Sequence, residues 1–288
     1  MDDRSVNSKI IDSEIIQKAV ETHYTPGHLL DKITQALSRS GKDIEKISEE
    51  DLAPIEDFHI RGREATKELV EQLPIKELSK VIDIGCGIGG TSRYIASRHK
   101  CKVTAIDLSE EFIHTATELS RIVGLQDLIK FQRSDATALP FENNEFDIAI
   151  TQHVQMNIED KEKFILEVNR VLKKGGTFAF YDIFQGNFGS LYYPVPWAEN
   201  EQISFLANWN SYKGILESAG FREMYEEDMT TPGLNWFKAM MENSGKEGYI
   251  LEVMQSVMGK SAKESMGNAG RNMKEGKIRV VKAIFKKK

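Results

Sequence analysis

The residues with the types and spacing to do chemistry sit at the ends of short apolar runs. Lys80-Val81-Ile82-Asp83-Ile84 is followed by Gly85-Cys86-Gly87-Ile88-Gly89-Gly90-Thr91. Glycines at 85, 87 and 89 permit positive φ and close backbone approach. The segment behind them reads as a helix, whose bare N–H groups and dipole favour a polar ligand in the turn. Asp83 precedes the first glycine by two residues, where a carboxylate orders the turn or faces a ligand amino group. Asp107 ends a second apolar run, 102–107, where an acid accepts both hydroxyls of a ribose. A helix cap is its alternative, but Ser109 fits that role. Asp135, in Ser134-Asp135-Ala136-Thr137, is placed to accept from an adenine amino group while Ala136 donates its backbone N–H to the ring; a plain turn former is the alternative. Leu108 and Gln152, beside the ends of the second and fourth runs, complete the candidate binding set.

Candidates for proton transfer are His153, His59 and Tyr24, with Asn157 as an orienting group. His153 follows the fourth apolar run and has a side chain that titrates near neutrality by type; its alternative is helix packing or a backbone contact to a cofactor. Asn157 orients a substrate or caps the helix expected near Glu159. Tyr24 closes the site from the N-terminal arm or packs on the first helix. Tyr192, Tyr193 and Trp197 are the ring faces available to a cationic or flat substrate, or else a packed lid.

The elements that must position these groups alternate regularly. Strands are expected at 80–85, 102–107, 129–133, 146–151 and 177–182, with helices at 90–99, 110–123 and 160–173 and a Lys-Lys-Gly-Gly turn before the fifth strand. Strands alternating with helices predict an α/β, doubly wound, mostly parallel sheet that binds its ligand at the strands' carboxyl ends. A helix at 209–219 and strands at 221–229 and 278–285 bring the sheet to seven, the last two pairing antiparallel at its edge. Residues 1–75 read as an N-terminal helical cap or lid, with 1–10 polar and unstructured. Residues 76–288 form the main domain, with a lid at 185–206 and a C-terminal helical insertion at 232–275. Within the insertion, Ile250, Val253, Met254, Val257 and Met258 have helical spacing and read as core or as the face of a homodimer.

Bulk composition excludes several classes. With 288 residues, 40% of them hydrophobic, the chain can bury a sizeable core. A net charge of −6 argues against a nucleic-acid partner. The absence of a long apolar run argues against a membrane span, and the start lacks the pattern of a signal peptide. Two cysteines, Cys86 and Cys101, have no metal-ligand spacing, so no metal is expected and a reducing, cytoplasmic setting fits best.

Gly85, Gly87 and Gly90 formally match a dinucleotide fingerprint, while Gly85, Gly87 and Gly89 match a G-x-G-x-G turn. The wider set decides between them. Asp83-Ile-Gly85-Cys-Gly87-Ile-Gly89, Val103-Thr-Ala-Ile-Asp107, Asp135-Ala-Thr-Ala-Leu-Pro140-Phe141, Phe146-Asp147 and Val171-Leu-Lys-Lys-Gly-Gly176 occur in order, and over roughly 60–185 the sequence resembles class I S-adenosylmethionine-dependent methyltransferases of Rossmann-like fold. A nicotinamide dehydrogenase has no reason to carry the Asp135 loop. Phe58-His-Ile-Arg-Gly-Arg-Glu-Ala-Thr66 is similar to the small-molecule branch containing sarcosine/dimethylglycine and phosphoethanolamine N-methyltransferases. That resemblance implies S-adenosylmethionine as cofactor, S-adenosylhomocysteine as product and a small-molecule acceptor. It also implies contacts from His59 and Ile60 to the methionine end, and a loop at 151–158 facing the sulfonium. Those N-methyltransferases tend to carry an acid where His153 stands and a histidine where Asn157 stands. A sarcosine-like amine is therefore the first expectation, an O- or C-acceptor of a larger metabolite the alternative, and cofactor binding without turnover the remote one.

Overall fold

The computed structural model describes residues 14–25, 27–242, 255 and 261–288. The apolar positions expected at 250–258 lie outside the described residues. Helix α1 covers 14–23, and α2 (Leu29–Arg39), α3 (Glu49–Glu56) and α4 (Gly62–Val70) complete the N-terminal segment. The alternating part runs β1 (Lys80–Ile84), α5 (Gly90–His99), β2 (Lys102–Asp107), α6 (Glu110–Ile122), β3 (Ile129–Arg133), β4 (Phe146–Gln152), α7 (Lys161–Val171) and β5 (Leu172–Gln185). It continues with α8 (Trp209–Ser218), β6 (Phe221–Asp228), α9 (Thr230–Glu242), α10 (Ala262–Lys274) and β7 (Ile278–Lys287).

The seven strands form one sheet in the order β3-β2-β1-β4-β5-β7-β6. The first five are parallel, and β7 enters antiparallel between β5 and β6. The antiparallel pairing of the last two strands follows the sequence expectation. The Lys-Lys-Gly-Gly segment does not. Leu172 already pairs with Phe146, so the segment lies within β5, where the chain bulges out of register between the Phe146–Leu172 and Ile148–Thr177 pairs. Gly175 at φ 74 takes up that irregularity.

Helix starts follow their capping chemistry. The Ser109 hydroxyl accepts from Phe112 N–H at α6, and the Asp160 carboxylate from Lys163 N–H at α7. Asp160, not Asn157, is thus the cap of the helix after β4. One face of the sheet buries an aromatic cluster with α7 and α8, including Phe164, Phe178, Phe180, Trp209 and Phe285. The other carries α4, α5, α9 and α10. The N-terminal helices share a third cluster with the main domain: Leu29, Ile33, Leu37, Leu52 and Ile55 pack with Ile88 of the glycine turn and with Phe112 and Leu119 of α6.

One buried ion pair ties that segment down. Arg93 of α5 and Glu56 of α3 both have fully buried side chains. Arg93 donates to Glu56 Oε2, to Ile88 O at 2.6 Å, to Ala116 O at 3.2 Å and to Ser120 Oγ at 3.0 Å. Arg63 of α4 bonds the other oxygen of Glu56. Removing one member of such a pair strands a charge away from water, which costs about 3–5 kcal/mol. Arg93→Met is expected to lose stability in that range by urea denaturation. The double variant Arg93→Met/Glu56→Leu is expected to recover part of the loss, because it removes the stranded carboxylate as well.

Candidate active site

A cavity of about 290 Å³ opens at the carboxyl ends of the parallel strands. The glycine turn forms its floor. Gly85, Gly87 and Gly89 take φ of 73°, 54° and 89°, and the N–H groups of Gly85 and Cys86 both donate to Ile106 O at 2.8 and 2.9 Å. The glycines do different work. A Cβ on Gly85 would stand 2.4 Å from Val154 Cγ2, so this glycine lets the loop after β4 close onto the turn. A Cβ on Gly87 would have nothing within 4 Å, and Gly87 lines the cavity. Gly89 is not part of the lining: its missing Cβ makes room for Arg93 and Phe131. Its place in the candidate binding set is therefore indirect.

The three acids expected at strand ends all line the cavity. Asp83 Oδ2 accepts from Ser92 Oγ at 2.6 Å, so it orders the turn, and burial pushes its carboxyl up to about 7. Asp107 accepts from Gly87 N–H at 2.9 Å on one oxygen and from Ser109 N–H at 3.0 Å on the other; burial raises it to about 6 against those bonds. Asp135 Oδ1 accepts from Thr137 N–H at 2.7 Å, as a turn former does, while Oδ2 accepts from Gln17 Nε2 at 2.7 Å. Gln17 comes from α1, and nothing in the local pattern signalled it. Leu108, Ala136 and Ile60 also line the cavity.

The loop after β4 brings the other candidates together. Gln152 Oε1 accepts from Thr91 Oγ1 at 2.7 Å, and His59 Nε2 donates to Gly62 O at 2.9 Å. Burial lowers His59 to about 4, so its ring is neutral and already engaged. His153 stands at φ 53 with its ring stacked 5.5 Å over Tyr181. Its Nε2 is shielded from solvent and has no hydrogen-bond partner among the described residues, and burial with the neighbouring His59 pushes its proton affinity well down. Tyr24 donates to Asn157 Oδ1 at 2.9 Å, and Asn157 Nδ2 donates to Trp197 O at 2.8 Å and Ile203 O at 3.1 Å. Tyr24 is thus a neutral latch between the N-terminal arm and the site, its hydroxyl raised by burial.

Sequence reasoning missed Asp182. Fully buried in the last part of β5, it accepts from the N–H groups of Val154 and Gln155 at 3.1 and 3.2 Å, which fixes the loop carrying His153. Its position at the end of the expected fifth strand was the available signal. Of the two readings of Tyr192, Tyr193 and Trp197, the ring around a ligand is not assembled: of the three, Trp197 lines the cavity, and Tyr192 is covered by Arg271 and Lys277 at 3.6 and 3.5 Å from its ring centre. Trp236, Phe237, Met266 and Ala269 of α9 and α10 take the remaining wall.

Residues 82–180 match the family described as a methyltransferase domain. The sarcosine/dimethylglycine N-methyltransferase of Halorhodospira halochloris is 30% identical over 196 residues, covering 68% of this chain and 70% of that protein. The chain belongs to the S-adenosylmethionine-dependent methyltransferases. Phosphoethanolamine N-methyltransferase 1 of Zea mays is 30% identical over 224 residues, 73% of this chain but 42% of that one, so the chain spans under half the length of this relative. In fold it is similar to phosphoethanolamine N-methyltransferase 2 of Haemonchus contortus, solved with phosphomonomethylethanolamine and S-adenosylhomocysteine: TM-score 0.67, 20% identity, covering 88% of this chain and 60% of that one.

The two glycines of the turn make separable predictions. Gly85→Ala combines a left-handed backbone with a clash against Val154 and is expected to cost about 2–4 kcal/mol. Gly87→Ala carries only the backbone penalty, about 1–2 kcal/mol, but places its methyl in the cavity. Urea denaturation of the two variants side by side measures the difference.

Proposed function

We propose that this chain binds S-adenosylmethionine in the cavity and passes its methyl group to a small-molecule acceptor. The observation that carries the proposal is Asp107: a cavity-lining carboxylate at the end of β2, held by Gly87 N–H and Ser109 N–H, beside a glycine turn with open space where Gly87 would bear a Cβ. When bound, the cofactor supplies an electrophilic methyl on a sulfonium, open to in-line displacement. The chain's own residues then mainly bind, orient and exclude water, and orientation alone contributes several powers of ten.

Asp107 would hold the ribose hydroxyls, since each of its oxygens keeps lone-pair capacity after accepting one backbone N–H. Asp135 and Ala136 would meet the adenine, with Gln17 sharing or yielding its bond to Asp135. Gly85 and Gly87 would lie under the methionyl part, with Asp83 holding the turn from behind. Leu108, Gln152 and Ile60 would complete the walls. His153 is the candidate to take a proton from an acceptor that arrives protonated, because its neutral Nε2 has no partner among the described residues, although burial lowers its proton affinity. Tyr24, Asn157 and His59 hold the loop and arm around it. An amine acceptor is supported by the names of the relatives. An O- or C-acceptor with a larger body is supported by the aromatic and aliphatic wall from α9 and α10.

Calorimetric titration with S-adenosylhomocysteine tests the proposal. Micromolar binding is expected, weakened about a hundredfold in Asp107→Ala, as two charge-assisted bonds of about 1.5 kcal/mol each imply. Absence of binding to the unaltered chain would overturn it. The pH dependence has a definite sign. Because burial raises Asp107 to about 6, its carboxylate form is depleted below that pH. Affinity is expected to be flat above pH 7 and to fall progressively below about 6. Asp107→Asn is expected to remove that slope.

A further inference from the structure

We propose that the half of the cavity over β4 and β5 takes a neutral acceptor with an apolar body and a single hydrogen-bond donor at its reacting end, rather than a zwitterionic or phosphorylated amine. This rests on assigning the other half to the cofactor. The sheet order itself divides the cavity. The carboxylates Asp83, Asp107 and Asp135 stand at the ends of β1, β2 and β3. Across β4 and β5 the wall is Met156, Ile183, Trp197, Phe237, Met266 and Ala269, each between 1 and 9% exposed.

Carboxylates also reach the lining outside those strand ends, Glu56 and Asp57 from the N-terminal segment and Glu159 and Asp160 after β4, whereas cationic groups are scarce. Among the described residues of the lining, the lysine or arginine present is Lys163, in the first turn of α7. That helix follows the loop after β4, and Glu167 on it accepts from Leu139 N–H at 2.7 Å, so its first turn stands between the loops after β3 and β4. The histidines of the apolar half, His59 and His153, are held neutral by burial. An acceptor carboxylate or phosphate placed there would be desolvated without a counter-charge, and the binding it lost would exceed what a small polar molecule gains from contact.

Hydrogen-bonding capacity is equally restricted. Gln152 Oε1 is taken by Thr91 and Thr66, and Tyr24, Asn157 and the carbonyls of Trp197 and Ile203 satisfy one another. Among the described residues His153 Nε2 has no partner, and because it is covered, a donor reaches it with a small shift of the ring or of the wall around it. A pocket of this kind selects strongly for one donor and only weakly among apolar shapes. A phenol, an aliphatic alcohol or a ring N–H on a hydrocarbon frame meets the requirement.

The test uses the full chain loaded with S-adenosylhomocysteine, titrated calorimetrically with 2-naphthol, naphthalene, sarcosine and phosphoethanolamine. 2-Naphthol is expected to saturate, naphthalene to bind about tenfold more weakly, and the two polar amines to give no saturable heat at hundredfold higher concentration. His153→Phe is expected to erase the difference between 2-naphthol and naphthalene. Phe237→Ala is expected to weaken both about tenfold with S-adenosylhomocysteine affinity unchanged, and Met266→Lys provides a second alteration of the same wall. Saturable binding of sarcosine or phosphoethanolamine, or none of 2-naphthol, overturns the proposal. Failure of S-adenosylhomocysteine to bind would instead remove the cofactor assignment, and 2-naphthol titrated into the free chain would still report on the apolar half.

Discussion

A guanidinium sealed inside the protein is the constraint on which the rest depends. Arg93 sits in the first turn of α5, with its donors spent on Glu56, on Ile88 O in the glycine turn and on two acceptors of α6. A fully buried charge survives only when its hydrogen bonds and its counter-charge are all in place. The turn, α6 and the N-terminal helix α3 must therefore be assembled together. Gly89 and Gly90 are part of the same arrangement. A side chain at Gly89 would meet Arg93 itself, and one at Gly90 would stand 2.5 Å from Asp57 Oδ1. These glycines serve the packing of the N-terminal segment against α5, while Gly87 is open to the cavity.

Around that anchor the site is built from groups that are buried but restrained. Asp182 never needs to reach the cavity; it fixes the backbone of Val154 and Gln155, and through them the left-handed turn at His153. The Tyr181 ring then stacks on the imidazole from beneath. The result is an imidazole held in place by backbone and ring contacts, with one nitrogen unspent. Tyr24 and Gln17 reach in from the N-terminal arm, so the roof of the cavity and the cluster that α2 and α3 share with α6 belong to one segment. Any opening of the roof has to be reconciled with the contacts that hold this segment.

What the sequence alone determined was the local and the periodic. The β-branched runs ending in Asp83 and Asp107, the glycine turn and the Ser109 cap are short-range facts. Backbone geometry and strand-helix alternation then require a parallel sheet with its acids gathered at one edge. That is why nearly all the candidate site residues line one cavity, although they are spread from Tyr24 to Asn157. The antiparallel edge was equally legible, because β6 and β7 follow the last crossover helix of the alternating part.

Tertiary structure decided what depends on contacts between distant residues. Gln17 bonds Asp135 across 118 positions, and Arg93 finds Glu56 across 37. No local pattern encodes such partners, since any polar face of a helix looks alike until it is packed. Tyr192 looked available for a ligand and is instead covered by Arg271 and Lys277. Asn157 looked like a cap and became a latch, because Asp160 lies nearer the helix start and supplies a stronger acceptor. The chemistry of the acceptor half was hidden for the same reason. Trp236, Phe237, Met266 and Ala269 read as ordinary helix residues, and only the packing of α9 and α10 against each other and against β7 turns them into a wall.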